Sequence, residues 1–129
     1  MDISEVLKKE TKMPFGRLRV VRQIDELHLA AIRRGIVFIF AVWSGPAYIA
    51  FHRFTRLLAD INTSSLDLVV LDTDCLSTES GAALWGKNVG GGGETFWVHD
   101  GIIVARSLLY LPDSEPELLR LTHQLLNEP

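Results

Sequence analysis

The feature that most narrows what this chain can fold into is an uninterrupted apolar run, Ile36-Val37-Phe38-Ile39-Phe40-Ala41-Val42, which leads directly into Trp43-Ser44-Gly45-Pro46. A half-exposed strand alternates apolar with polar residues. A continuous β-rich run is the signature of a strand covered on both faces. Such a strand needs neighbours on each side and other elements above and below it, which points to an α/β architecture. Proline is tolerated in the first turn of a helix because its missing N–H has no partner there, so Pro46 marks a helix start. That helix is expected to carry Ile49, Phe54, Leu57, Leu58 and Ile61 into the core and to fade at Asn62-Thr63-Ser64-Ser65.

The rest of the chain supplies the neighbours. From Arg17 to Arg22, leucine and valine alternate with arginine, which suits an edge strand. A helix is expected from Asp25 through Arg34, with Ile24, Leu27, His28, Ala31 and Ile32 at core-facing spacing and Gly35 as its stop. Leu66 to Leu71 reads as a second buried strand, Ser77 to Trp85 as a short helix, and Gly90-Gly91-Gly92-Gly93 as a loop. Thr95–His99 and Ile102–Ser107 flank Asp100-Gly101, the signal of a two-residue hairpin. Pro116 opens a last helix with Leu118, Leu119, Leu121, Leu125 and Leu126 as its stripe. The expected order, βαβαβαββα, gives a mixed sheet with helices on both faces. The 129 residues read as one domain, with residues 1–16 an N-terminal extension.

Composition excludes several classes. With 47% hydrophobic and 22% charged residues the chain is ordinary globular material, and a net charge of −3 predicts no strong attraction to nucleic acid. Lys8, Lys9, Lys12, Arg17, Arg19 and Arg22 make the first segment basic, but Glu5 and Glu10 interrupt it, and it reads as solvated surface. The longest apolar run falls short of the ~20 residues that span a bilayer. Met1 to Glu5 lacks the basic flank and apolar run of a secretory signal. A cytoplasmic protein with no membrane partner is the expectation. Cys75 is the only cysteine, so no disulfide can form within the chain.

The segment Phe38-Ile39-Phe40-Ala41-Val42-Trp43-Ser44-Gly45-Pro46-Ala47-Tyr48 resembles the central strand and active-site turn of the thioredoxin family, in which Trp-Cys-Gly-Pro-Cys opens a helix. Trp43, Gly45 and Pro46 match that motif, and the likeness extends roughly from Arg17 to Leu126. The resemblance implies the thioredoxin-like fold. It also marks departures from the family's chemistry. Thiol–disulfide exchange needs an attacking thiolate, favoured by a helix N-terminus, and a second sulfur that resolves the mixed disulfide. Ser44 and Ala47 stand at those two positions. The family's buried acid aligns with Phe38, its lysine on the following strand with Val70, and its cis-proline with Glu94, within a residue. Together these changes describe a scaffold released from redox work.

Other chemistry at the same place has simpler explanations. Ser44 could act as a nucleophile only with a base in reach. His52 is eight residues on, roughly 12 Å of helical rise, and His99 could approach only through the fold. Capping the helix is the plainer role for Ser44. Cys75 lies close to Asp72 and Asp74, whose charge disfavours a thiolate. Asp72 and Asp74, with Glu94, could hold a hard cation, but strand-end aspartates usually just solvate a loop. The glycine run leads into a strand rather than a helix, so it lacks the setting of a phosphate loop, and the four histidines show no ligand spacing. No cofactor or metal is expected.

What remains is recognition. Trp43 and Tyr48 flank the turn that, in the family, faces a partner's polypeptide, and exposed aromatics of this kind anchor bound chains. The expected binding surface is Trp43-Ser44-Gly45-Pro46-Ala47-Tyr48 with Asp72, Asp74, Gly93 and Glu94, and the expected partner is another protein or peptide. The alternative is a non-redox enzyme using Ser44 or Cys75 with nearby acids.

Overall fold

The apolar run forms the middle of a five-stranded sheet ordered β1-β3-β2-β4-β5. The computed structural model describes residues 17–21, 28–40, 45–58, 61–62, 64–72, 92–107, 113 and 115–127. Its strands are β1 (Arg17–Val21), β2 (Arg34–Phe40), β3 (Asp67–Asp72), β4 (Gly92–His99) and β5 (Ile102–Ser107), and its helices are α1 (Gly45–Leu57) and α2 (Glu115–Leu126). β3 pairs in parallel with β1 and β2, while β4 pairs antiparallel with β2 and β5. This is the mixed α/β sheet that the sequence pattern predicts.

β2 is central because both its faces can be covered. Ile36 through Phe40 are all fully buried. Their side chains alternate. Ile36, Phe38 and Phe40 join Leu68, Val70 and Trp97 beneath Ala50, Phe51 and Phe54 of α1, Leu58 just after it, and Leu118 and Leu125 of α2. Val37 and Ile39 join Val21, Ile32, Val69, Leu71, Phe96 and Val98 on the reverse face. Both described α-helices pack on the Phe38 side; the helix expected over Ser77–Trp85 lies outside the described residues.

The expected helix from Asp25 to Arg34 is not found where the chain is described. A single 3-10 turn covers Leu29–Ala31, Ile32 is already extended, and β2 begins at Arg34. Gly35 therefore sits inside a strand instead of ending a helix. A Cβ there would lie 2.6 Å from Ile32 Cγ2 and 3.1 Å from the Asp67 carbonyl oxygen, so the glycine makes room first for the Ile32 side chain and then for the β3 backbone. Gly35→Ala is expected to destabilise the protein by about 1–3 kcal/mol through overpacking, read as a lower midpoint in urea unfolding. The penalty should shrink in an Ile32→Ala background. An equal penalty there would assign the strain to the Asp67 carbonyl instead.

The hairpin forms as Asp100-Gly101 predicts. Both residues have positive φ, 49° and 80°, as a primed two-residue turn requires. The turn also docks: the Asp100 N–H donates to the Arg33 carbonyl at 2.7 Å and the Gly101 N–H to the Ile32 carbonyl at 2.9 Å. β4 starts earlier than Thr95. Its register runs from Phe38↔Thr95 to Phe40↔Gly92, so Gly93 and Glu94 together oppose Ile39 in a bulge.

Of the residues expected in the core from α1 onward, Phe54 and Leu58 are fully buried and Leu57 and Ile61 pack against the core, joined by Ala50 and Phe51; Ile49 is the exception, 58% exposed. After the helix the chain turns on Asn62, whose Oδ1 accepts from the Ser64 N–H at 3.1 Å and the Ser64 hydroxyl at 2.7 Å. α2 carries Glu115 and Glu117 in its first turn, the favourable end for negative charge. It is tied to the sheet through Trp97, whose indole N–H donates to Thr122 Oγ1 at 3.0 Å; that hydroxyl in turn donates to the Leu118 carbonyl at 2.8 Å.

Candidate functional site

Three segments converge where β2 ends. Phe40, its last residue, is registered against Asp72 at the end of β3 and Gly92 at the start of β4. The third segment is the start of α1. The Tyr48 ring meets Phe40 edge-on at 4.7 Å. Further along, Phe51 lies 5.8 Å from Phe40 and 5.4 Å from Phe38, and Phe54 lies 5.3 Å from Phe38. The helix thus runs back along β2, with its N-terminus at the Phe40 end. Aromatic residues on β2 and α1 set this direction, because each ring packs best at an offset or edge-on angle to the next.

Of the residues expected to form a binding surface, the backbone of Gly45, Pro46 and Ala47 makes the first turn of α1, with no acidic residue in it. Asp72 closes β3, and Gly93 and Glu94 form the bulge of β4. These segments share one end of the sheet, as the resemblance implies. Trp43, Ser44, Asp74 and Cys75 lie outside the described residues, as do Gly90 and Gly91. Tyr48 is half-buried, one side of its ring serving the core.

Glu94 requires a correction. It does not precede the strand but lies within β4, and its side chain is only 6% exposed. It lies two residues from Phe96 and four from Val98, so it shares their face of the sheet, away from Tyr48. A carboxylate removed from solvent in this way is not displayed along an open groove.

The two positions that the resemblance aligns with a buried acid and a lysine are apolar. Phe38 and Val70, aligned with the family's acid and lysine, are 0% and 1% exposed and registered against each other. No ionisable side chain occupies either place. His99 is paired with Arg34, at the opposite end of β2 from Phe40. Six strand steps separate those ends, about 20 Å. His99 therefore lies at the far end of β2 from Phe40, against which Tyr48 near the start of α1 packs. Among the described residues no group of three His, Cys, Asp or Glu side chains is placed to hold a metal ion. No described helix is long and apolar enough to cross a membrane.

The sequence reading missed one surface. Tyr48, Ile49, Phe51, His52, Arg53 and Arg56 line a shallow depression of about 310 Å³ along α1. Its signal was present: Ile49, Arg53 and Arg56 recur at i, i+4 and i+7, the spacing of one helix face. Assigning Ile49 to the core hid it.

No protein-family model matches the chain, and no curated protein matches it. Solved structures do. A thioredoxin from Malassezia sympodialis superposes with a TM-score of 0.62 at 14% identity, over 84% of this chain and 93% of that one. A thioredoxin variant from Halobacterium salinarum gives 0.61 at 16% identity, over 92% and 98%. Thioredoxin f from spinach chloroplast gives 0.60 at 14% identity, over 96% and 95%. At these identities the likeness concerns architecture alone.

Proposed function

On this thioredoxin-like fold, we propose a protein that does no thiol–disulfide exchange and acts by binding another protein or peptide. One observation carries the reading. α1 begins at Gly45, so the residue just ahead of it is Ser44 and its third residue is Ala47, the two places where exchange would require sulfur. The apolar Phe38 and Val70 beneath the helix support it, since neither can move a proton. The proposed binding surface is the end of the sheet to which Trp43 to Tyr48, Asp72, Asp74 and Gly93 belong, without the buried Glu94 carboxylate. Its cellular setting is the cytoplasm, in keeping with a single cysteine.

Two measurements test this. Insulin reduction driven by dithiothreitol should run no faster with the purified protein than with the reagent alone. Turnover above that background would end the redox-inactive reading. Affinity capture from the native cell, comparing wild type with the Trp43→Ala, Tyr48→Ala double variant, tests the surface. A protein retained by wild type and lost by the folded double variant supports it, and unchanged capture moves the binding surface elsewhere.

A further inference from the structure

We propose that the outer face of α1 is a docking site for an acidic polypeptide segment carrying an apolar side chain. The site shares only Tyr48 with the surface proposed above and does not depend on the redox reading. α1 has thirteen residues and not one carboxylate, although the chain as a whole has 16 acidic side chains against 13 basic ones. At about 100° per residue, Ile49, His52, Arg53 and Arg56 fall within an arc of roughly 100°. Ile49 is 58% exposed at the centre of this stripe, and Arg53 and Arg56 are exposed beside it. Among the described residues neither arginine takes part in an ion pair or side-chain hydrogen bond.

An ordinary solvated helix face looks different, and α2 shows how. There Arg120 binds Glu117 of the same helix through Nε–Oε2 at 2.9 Å and through Nη2–Oε1. Those hydrogen bonds hold the Glu117 carboxyl below its ordinary pKa. Mixed signs satisfy one another at such a surface. Arg56, in the last turn of α1, can be credited to the helix dipole. Arg53 in mid-helix and an exposed isoleucine at the mouth of a depression cannot.

Guanidinium groups present planar donors that match carboxylates in pairs. Two of them flanking an apolar contact read a segment in which carboxylates flank an apolar side chain. Ile49, together with the half-buried Tyr48, supplies the dry centre, and the arginines supply the charged rim. Two arginines on a protein of net charge −3 give little footing for nucleic acid.

The test uses three fluorescein-labelled probes in anisotropy titrations: an amphipathic peptide with leucines on one face flanked by glutamates, the same peptide with glutamines for the glutamates, and oligothymidylate. The glutamate peptide should bind, and should weaken several-fold when salt rises from about 50 to about 500 mM. The glutamine peptide should bind at least about tenfold more weakly, and Arg53→Glu with Arg56→Glu should cost the glutamate peptide at least about tenfold. Arg53→Gln with Arg56→Gln removes the charge without reversing it and should fall between. Both arginines are exposed, so the variants should stay folded, their melting midpoints lowered only by what Arg56 contributes at the end of the helix. Trp43→Ala should leave this binding unchanged, which separates the site from the surface proposed above. Equal binding of the two peptides, indifference to the arginine variants, or comparable binding of oligothymidylate overturns the proposal. So does a wild-type dimer in sedimentation that Ile49→Glu dissociates, since a second copy of the chain would then be the occupant.

Discussion

Phe38→Asp is expected to yield a chain with no cooperative unfolding transition at 25 °C, whereas Phe38→Leu should remain folded with a lower midpoint. Phe38 is 0% exposed, registered against Val70 and Thr95, and packed on Phe51 and Phe54 at 5.4 and 5.3 Å. Truncating such a phenylalanine costs about 3–5 kcal/mol. A carboxylate in its place adds a desolvation penalty of several kcal/mol more. Domains of this size hold only about 5–15 kcal/mol in total, so the two terms together remove most or all of the stability. Urea titration followed by far-ultraviolet circular dichroism gives the answer. The position is also the one where the resemblance expects a buried acid. A well-folded Phe38→Asp variant would mean that the carboxylate finds solvent or a partner there, contrary to the aromatic packing described.

The second large effect concerns the joint between the sheet and α2. Trp97→Ala is expected to cost about 3–5 kcal/mol, because Trp97 is fully buried under α2. Thr122→Val should cost about 1–3 kcal/mol although it keeps the shape, because it strands the indole N–H without its acceptor. In a Trp97→Phe background that donor is already gone, so Thr122→Val should cost at least about 1 kcal/mol less. Equal costs in both backgrounds, measured by urea unfolding, would show that the hydrogen bond contributes nothing and that Trp97 acts through area alone.

Much of this architecture could be read from local chemistry. Pro46 and Pro116 lie at the second positions of α1 and α2, and Asp100-Gly101 forms the turn that its residue types require. Gly35 shows where local reading stops. A glycine that ends a helix and a glycine that makes room for its neighbours in a sheet look the same in sequence, and only the packing of Ile32 and β3 around β2 distinguishes them. Ile49 failed for another reason. Several phases of an apolar stripe fit α1, and the sheet beneath it selects the one through Phe51 and Phe54. The bulge at Gly93-Glu94 is a matter of register between strands, which no single-strand pattern encodes. The site was legible as a turn entering a helix. Its meeting with Asp72 followed from the resemblance, and the burial of Glu94 did not.

The docked hairpin turn bears on how the molecule holds together. A hairpin of β4 and β5 can close locally, but the amides of Asp100 and Gly101 find their acceptors on Arg33 and Ile32, far earlier in the chain. Those acceptors are in place only once β2 is seated, so the antiparallel half of the sheet is incomplete without the parallel half. The entropy of bringing distant segments together must be met before those two bonds return anything. The two halves are thus bound into one cooperative unit, and neither is expected to persist when the other comes apart.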